Sequence, residues 1–361
     1  MSRIVFVTGG GTGGHYFAAE SFIKYLKDNN YEPIFIGSQF GIEKKLAKNL
    51  GVEYKLLKTK GFAGKNYIEK IKSIIHLISS TIKCIYYDLK YKPVFVIGFG
   101  GYTSFPVLLS ASLTNKKRII VEQNSIPGLA NKILANFCNI VFVNFDSTRQ
   151  FFKKKHVYST GNPIRKMNFP KNRHFSSNFL RIGVVGGSRG AKTINKALFE
   201  FAQIIDDTIK SKIEIIHQTG IDDYKQALEI YQKYNIKSKV YDFIHNMEEF
   251  YSSIDIIVSR AGSSTLSEIA CYGLPSILVP YPHAIYNHQY FNAQIFEKSN
   301  AAKLILDKDF NGYFLKNFIY YIKVNELVEM SNAAFGLCKK EACKDMLNII
   351  EKELVKNGKS N

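Results

Sequence analysis

Tryptophan is absent from the 361 residues, and acidic side chains are scarce beside basic ones: 30 Asp and Glu stand against 49 Lys and Arg, a formal charge of +19. Cysteine is thin as well. Cys84, Cys138, Cys271, Cys338 and Cys343 are an odd set in no metal-binding spacing, which excludes a cysteine-based metal centre and fits a reducing, cytoplasmic setting. Nowhere do eighteen apolar residues run together, so no membrane-spanning helix is expected. The opening Met-Ser-Arg-Ile-Val-Phe lacks a basic lead, a long apolar stretch and a small-residue cleavage site, and no secretory signal is expected from it. Arginine supplies only eight of the basic residues. A Lys-, Asn- and Ile-rich composition can arise from codon bias; the functional alternatives are an anionic membrane surface or nucleic acid. No nucleic-acid motif with interleaved aromatics accompanies the charge, so a membrane is the expected partner and nucleic acid is not.

What is present is a repeated alternation. A chain of this length is expected to form two domains. Short β-rich apolar runs (Arg3–Thr8, Pro33–Gly37, Val52–Thr59, Pro93–Gly98, Arg118–Val121, Asn139–Phe145) are separated by helical patterns, the signature of a parallel sheet covered on both faces. A polar, basic stretch from Gly161 to Asn178, with Pro163 and Pro170, reads as a linker. The alternation then restarts at Leu180–Val185, Lys212–His217, Val240–Ile244, Asp255–Ser259 and Ser276–Pro280. The expected architecture is α/β: two doubly wound, Rossmann-like domains facing each other across a cleft, over residues 1–160 and 161–335, with a helix in 336–361 returning to the first.

Each half opens with a strand, a glycine-rich turn and a helix: GGGTGGH at Gly9–His15 and GGSRGA at Gly186–Ala191. Gly9, Gly11 and Gly14 satisfy a dinucleotide fingerprint. The second strand, however, ends Ile36-Gly37-Ser38 without the acidic residue that would hold a ribose hydroxyl, and a nicotinamide site is rejected. The glycines serve either tight strand-to-helix packing or phosphate binding. A helix N-terminus offers unpaired N–H groups and a positive dipole end, which glycine lets a phosphate approach. Ser188 adds a hydroxyl and Arg189 a fixed cation, a set able to hold a leaving diphosphate without a metal or other cofactor.

Seven motifs then appear in order: GGTGGH at Gly10–His15, EQN at Glu122–Asn124, GNPIR at Gly161–Arg165, GGSRGA, HQTG at His217–Gly220, SRAGSSTLSEIA at Ser259–Ala270 and PYPHAIYNHQYFNA at Pro280–Ala293. Over nearly the whole chain this series resembles the undecaprenyl-diphospho-muramoylpentapeptide N-acetylglucosaminyltransferases, the MurG family. The resemblance implies a GT-B fold and an inverting, metal-independent transfer of N-acetylglucosamine from UDP-GlcNAc to an undecaprenyl-linked muramoyl-pentapeptide. It also implies a peripheral location on the cytoplasmic face of the cell membrane. Carried over by motif, Ser188 and its neighbours hold the donor diphosphate and the backbone of Ile244 reads the uracil edge. Thr265 and Glu268 contact sugar and ribose, Gln289 and Asn124 bond the transferred sugar, and Arg165 closes the cleft near the hinge. Gly11, Thr12 and Gly13 form the facing acceptor loop. Two departures matter: Val121 stands where the family often has His before EQN, and Arg189 stands where it often has Gln.

The chemistry calls for one general base and stabilisation of the leaving charge, rather than the carboxylate pair of a retaining glycosidase. His15, at an expected helix N-terminus that disfavours imidazolium, is the candidate base. It could equally cap the helix or donate to the acceptor diphosphate. Glu268 could merely favour its helix, and His217, His283 and His288 read as structural or surface residues. Asn66–Lys90 reads as one helix with Ile68, Ile71, Ile75, Ile78, Ile82 and Ile85 along one face. Such a stripe is ordinarily core. Ile74 and Leu77 widen it, and Lys65, Lys70, Lys72, Lys83, Lys90 and Lys92 surround it, as at a bilayer interface with anionic lipid. The missing tryptophan speaks against that, although Tyr86 and Tyr87 could anchor there. A UDP-GlcNAc 2-epimerase of the same fold and a non-catalytic nucleotide-sugar-binding protein remain the rivals.

Overall fold

The computed structural model describes residues 3–11, 13–59, 61, 66–153 and 156–358; the side chains of Tyr67, Ile68, Lys70 and residues 356–358 lie outside the described set. Thr12 and Lys65, both singled out in the sequence, also lie outside it. The chain divides into two compact units, Met1–Lys166 with Lys339–Asn361, and Met167–Cys338.

The first unit is built on seven parallel strands: β1 (Arg3–Thr8), β2 (Tyr31–Ser38), β3 (Tyr54–Leu57), β4 (Phe95–Gly98), β5 (Arg118–Glu122), β6 (Ile140–Val143) and β7 (Val157–Ser159). Their order is β3-β2-β1-β4-β5-β6-β7, so the winding reverses between β1 and β4. The central residues of these strands are buried on both sides because both faces of the sheet are covered. One face packs α1 (Gly13–Asp28), through Phe22, Ile23 and Leu26, together with Met346, Leu347 and Ile350 of the terminal helix Ala342–Gly358. The terminal helix is also held through Glu351, which accepts from Tyr31 Oη at 2.9 Å and pairs with Arg3 at 3.1 Å. After β2 comes the single turn α2 (Glu43–Leu46). The other face packs α3 (Tyr67–Tyr91) and α4 (Ser104–Leu113) through Cys84, Tyr87, Val107 and Leu108.

The second unit repeats the plan with β8 (Leu180–Val185), β9 (Ile213–Gln218), β10 (Ser238–Tyr241), β11 (Ile256–Ser259), β12 (Ser276–Leu278) and β13 (Ala302–Leu304), in the order β10-β9-β8-β11-β12-β13. Every strand expected from sequence is found, Arg3–Thr8 and Leu180–Val185 with the expected ends and the others with shifted ones. The two that were missed, β7 and β13, are three-residue edge strands, too short to show a pattern.

One expectation is sharpened and one needs correction. The stretch Gly161–Asn178, read as a linker, carries no helix or strand and holds the boundary between the two units, and from Met167 onward it is tied down. Asn168 bonds Glu248 through N (3.2 Å) and Nδ2 (2.7 Å), and Phe169 stacks edge-on against Tyr272. Arg173 donates to the carbonyls of Tyr251 and Tyr272 at 3.3 Å and to that of Ile254. A guanidinium there satisfies carbonyls at the end of the helix Met247–Ser253, which would otherwise be orphaned. Second, the cysteines are expected to sit in a reducing setting, yet Cys271 and Cys338, 67 residues apart, are joined as a disulfide, while Cys84, Cys138 and Cys343 stand outside any disulfide.

α3 overturns the ordinary rule for an amphipathic helix. Its start is fixed by a capping box: Asn66 Oδ1 accepts from Glu69 N at 2.9 Å and the Glu69 side chain returns to Asn66 N. The stripe buried beneath it is Ser73, Ser80, Thr81, Cys84, Tyr87 and Asp88. Ser73 and Thr81 bond back to their own helix and Asp88 Oδ2 accepts from Thr114 Oγ1 at 3.1 Å, while the buried Asp88 Oδ1 has no hydrogen-bond partner among the described residues. Burial pushes the Asp88 carboxyl up to about 6. The isoleucine face looks outward instead: Ile71, Ile74 and Ile75 are exposed, Ile78 is 56% exposed and Ile82 62%. The core reading of this stripe is wrong. Replacing Ile74 and Ile78 together with Ser is therefore expected to move unfolding free energy by no more than about 0.5 kcal/mol per site. Ile97→Ala in β4 should cost about 2–5 kcal/mol. Chemical denaturation of the variants checks both.

Candidate active site

In the first unit the reversal of strand order brings two loops together at the carboxyl ends of β1 and β4, where open α/β sheets bind ligands. Phe99 N donates to Thr8 O at 2.7 Å, which locks the exit of β4 to that of β1. The glycine loop leaves β1 and enters α1 at Gly13. His15 stands in the first turn, half-buried, with Nδ1 3.2 Å from the Gly10 carbonyl. A carbonyl only accepts, so Nδ1 carries the proton and Nε2 the lone pair. The Nε2 edge lies along Gly100, where a Cβ would stand 3.0 Å away. Gly11 is exposed, but its N–H is already committed to Glu43 Oε1 at 3.0 Å. The acceptor-loop reading of Gly11 therefore concerns its conformation rather than its amide.

Asn124 follows β5 and is anchored from below. Glu122 Oε1 accepts from Asn124 N (2.9 Å) and Nδ2 (3.3 Å), while Oε2 accepts from Gly128 N (3.1 Å) and Asn131 Nδ2 (2.8 Å). Burial pushes the Glu122 carboxyl up and these bonds pull it back, burial prevailing. Arg165 is exposed, its guanidinium 5.6 Å from the centre of the Phe17 ring on α1.

In the second unit the reversal falls between β8 and β11. The turn Gly186–Ala191 closes with Gly190 N to Gly187 O at 2.9 Å and exposes Ser188 and Arg189. Gly190 has φ +76°, and a Cβ there would overlap the Thr219 carbonyl, so only glycine fits. The helix that follows, Lys192–Ile204, has no side-chain cap and no acidic residue in its first turn. Its leading N–H groups and dipole face the turn without competition, which suits an anion. Gln218, from HQTG, ties the turn to the next loop: Nε2 donates to Gly187 O at 2.9 Å and Oε1 accepts from Ile244 N at 2.8 Å. The Ile244 amide is thus engaged, and any reading of a base by its backbone falls to the carbonyl.

Thr265 lies half-buried in the first turn of the helix Ser263–Cys271, and Glu268 lies buried one turn further, its Oε2 accepting from Tyr251 Oη at 2.8 Å. Gln289 opens the helix His288–Lys298 and spends its Oε1 on Tyr281 N at 3.0 Å. His217 is structural, as expected. It is fully buried between Tyr231 Oη (2.8 Å) and Asn195 Oδ1 (3.1 Å), and burial lowers its pKa to about 3. Among the described residues no group of three or more His, Cys, Asp or Glu side chains could hold a metal ion.

Sequence reasoning missed Glu43, Gln218, Tyr251 and the Phe99–Tyr102 loop. Gln218 could have been found inside HQTG, and Gly100-Gly101 after β4 by the same strand–turn–helix logic that found Gly9–His15. Glu43 and Tyr251 carry no local signal, because their partners are 32 and 17 residues away.

Similarity to known proteins follows the same division. The glycosyltransferase family 28 N-terminal domain matches residues 5–143, and the family's C-terminal domain matches 181–347. A relative from Thermodesulfovibrio yellowstonii, a UDP-N-acetylglucosamine–N-acetylmuramyl-(pentapeptide) pyrophosphoryl-undecaprenol N-acetylglucosamine transferase, is 38% identical over 92% of this chain and 94% of its own. A Bacillus pumilus protein of the same name is 34% identical over 97% and 98%. The crystal structure of Acinetobacter baumannii MurG superposes with a TM-score of 0.81 at 27% identity, covering 97% of this chain and 99% of that one. The chain belongs to the MurG family. A putative UDP-N-acetylglucosamine 2-epimerase from Listeria monocytogenes shares the fold alone, with a TM-score of 0.69 at 12% identity.

Within this MurG-family chain the burial of Glu268 beside Tyr251 gives a sharp expectation. Glu268→Ala should weaken UDP binding by roughly 1.5–3 kcal/mol, the worth of hydrogen bonds to a charged group. Tyr251→Phe, which removes only the orienting hydroxyl, should weaken it less. Calorimetry on folded variants measures both, and unchanged affinity in Glu268→Ala would remove that carboxylate from the donor site.

Proposed function

We propose that the enzyme transfers N-acetylglucosamine from UDP-GlcNAc to the 4-hydroxyl of an undecaprenyl-diphosphate-linked muramoyl-pentapeptide, with inversion at the anomeric carbon. The observation that carries this reading is the end-to-end match to relatives bearing that activity in their names, over 94% and 98% of their lengths. The geometry supplies the parts. The acceptor oxygen attacks the anomeric carbon as the bond to UDP breaks, and its proton passes to His15 Nε2, the nitrogen left with a lone pair. One displacement converts the α-linked donor into a β-linked product.

Charge develops on the departing diphosphate, and the groups suited to meet it are Ser188, Arg189 and the uncapped N-terminus of Lys192–Ile204. Arg189 gives this chain a fixed cation where the family often has an amide. The Ile244 carbonyl is suited to a uracil N–H and Glu268 to ribose hydroxyls, with Thr265 beside it. Gln289, its oxygen engaged, offers Nε2 to the sugar, with Asn124 held at the end of β5 as the second amide suited to it. Gly13 and the first amides of α1 suit the acceptor diphosphate, with Thr12 in the same loop. This donor set needs no divalent cation.

The acceptor is a lipid, and the outward isoleucine face of α3 is the means of reaching it. No helix among the described residues is long and apolar enough to cross a membrane. An exposed face of Ile71, Ile74, Ile75, Ile78 and Ile82, with Lys72, Lys83 and Lys90 exposed on the same helix, is instead suited to lie in the interface of the cytoplasmic leaflet. Tyr86, exposed, takes the interfacial role that tryptophan commonly fills.

Incubation with labelled UDP-GlcNAc is expected to give labelled lipid only when the lipid-linked muramoyl-pentapeptide is supplied, in EDTA as well as in magnesium. Consumption of the donor without acceptor would favour an epimerase, and activity lost in EDTA and restored by a divalent metal would overturn the cation-free mechanism. Sedimentation with anionic vesicles should fall with added salt, since about 1 kcal/mol per surface Lys is screened. It should fall again in the Ile74→Ser, Ile78→Ser double variant. Undiminished sedimentation of that variant would move the membrane contact elsewhere.

A further inference from the structure

One peptide group joins His15 to a carboxyl that cannot reach a substrate. The carbonyl of the Gly10–Gly11 peptide faces His15 Nδ1 at 3.2 Å, and the N–H of that same peptide donates to Glu43 Oε1 at 3.0 Å. Carboxyl, peptide and imidazole form one hydrogen-bonded line. We propose that Glu43 is a positioning residue for the transfer: acting through the Gly10–Gly11 peptide, it keeps the His15 proton on Nδ1 and strengthens Nε2 as the proton acceptor. This rests on the reading of His15 as the base.

Glu43 opens α2 and is fully buried behind the glycine loop. Burying a carboxyl is costly unless its bonds repay it, and here Oε2 has no hydrogen-bond partner among the described residues. The loop is shaped around this side chain: a Cβ at Gly10 or at Gly41 would overlap the carboxyl. A side chain at Gly10 would have to displace the Glu43 carboxyl.

The electrostatic consequence follows from the direction of the two bonds. A carboxylate accepting from the Gly11 N–H polarises the peptide, and a polarised carbonyl accepts more strongly from Nδ1–H. An acceptor on Nδ1–H fixes the tautomer and raises the basicity of the other nitrogen; a carboxylate does this directly in the Ser-His-Asp arrangement. The N-terminus of α1 acts in the opposite sense and disfavours an imidazolium. The line through Glu43 stabilises the imidazolium as it forms.

Other titratable groups face the line from each packed element. Tyr16 and Glu20 do so from α1, Tyr102 from the loop after β4, and Glu122 from β5 through Asn131, which borders Gly100. Burial pushes the Tyr16 and Tyr102 hydroxyls up, leaving both neutral. Burial also raises the Glu43 carboxyl, against backbone bonds that lower it. Glu43 is the group hydrogen-bonded to the peptide that His15 uses.

The test is nitrogen NMR of histidine-labelled protein, with the His15 signal assigned by its loss in His15→Gln. In the native enzyme His15 is expected as the Nδ1–H tautomer. In Glu43→Gln, which keeps an acceptor for Gly11 but removes the ionisable carboxyl, the imidazole should titrate at lower pH. In the transfer assay kcat should then fall roughly 10- to 100-fold, the usual effect of losing such a supporting partner. The acid limb of kcat should move to lower pH, and KM for UDP-GlcNAc should stay unchanged. A native His15 protonated on Nε2, or the same His15 titration in folded Glu43→Gln, overturns the proposal, and the first of these needs no variant to fold. Full turnover in His15→Ala would instead remove the base reading itself. Loss of turnover in His15→Ala with a silent Glu43→Gln would leave that reading intact and sink only this inference.

Discussion

Parallel strands expose their last carbonyl and amide groups at one edge of a sheet, and where the winding reverses, neighbouring strands send their chains apart and leave that edge open. In this molecule the reversal occurs between β1 and β4 and again between β8 and β11. At the first, Phe99 N on Thr8 O locks two loops side by side; beside the second, Gln218 at the end of β9 ties the loop after β8 to that after β10 by bonding both Gly187 and Ile244. Each opening is lined by a glycine turn that feeds a helix N-terminus. The helix dipoles then supply a favourable field for diphosphates without further machinery. Without the two reversals neither His15 nor Ser188 would have a site to face.

Much of this was legible from sequence because it is local. Strand–glycine turn–helix is a pattern read within fifteen residues; it pointed to the two sheets and singled out His15, Ser188 and Arg189 as candidates. The motif series singled out Asn124, Thr265, Glu268 and Gln289 as candidates. What stayed hidden is the second rank of contacts, which joins residues distant in sequence. Glu43 supports Gly11 from a different turn, Tyr251 orients Glu268 from a different helix, and Glu122, though inside EQN, earns its place by holding Gly128 and Asn131. Three buried carboxylates thus hold site peptides or are themselves held. No periodicity announces such groups, since each is defined by a partner that only the fold supplies.

α3 shows a different limit. Periodicity found the helix and its apolar stripe correctly but could not say which side faces the protein. The buried stripe is made largely of small serine, threonine and cysteine side chains with Asp88; Ser73 and Thr81 bond back to their own helix, so α4 can pack against it closely. That leaves the isoleucines outside, where water is a poor solvent for them and a bilayer interface a good one. An apolar stripe on a helix identifies an interface; whether the other side is protein or lipid depends on what the opposite stripe can satisfy by itself.

The central claim is that the turn Gly186–Ala191 and the helix behind it hold the donor's diphosphate by backbone amides, Ser188 and Arg189 alone. Calorimetric titration of the enzyme with UDP and with UMP, each in EDTA, tests it most directly. The two ligands share base, ribose and first phosphate, so their difference isolates the second phosphate. The account predicts that UDP binds about ten- to a hundred-fold more tightly than UMP, as charge-assisted bonds of roughly 1.5–3 kcal/mol require. Equal affinities, or a UDP advantage that appears only when a divalent cation is added, would contradict it.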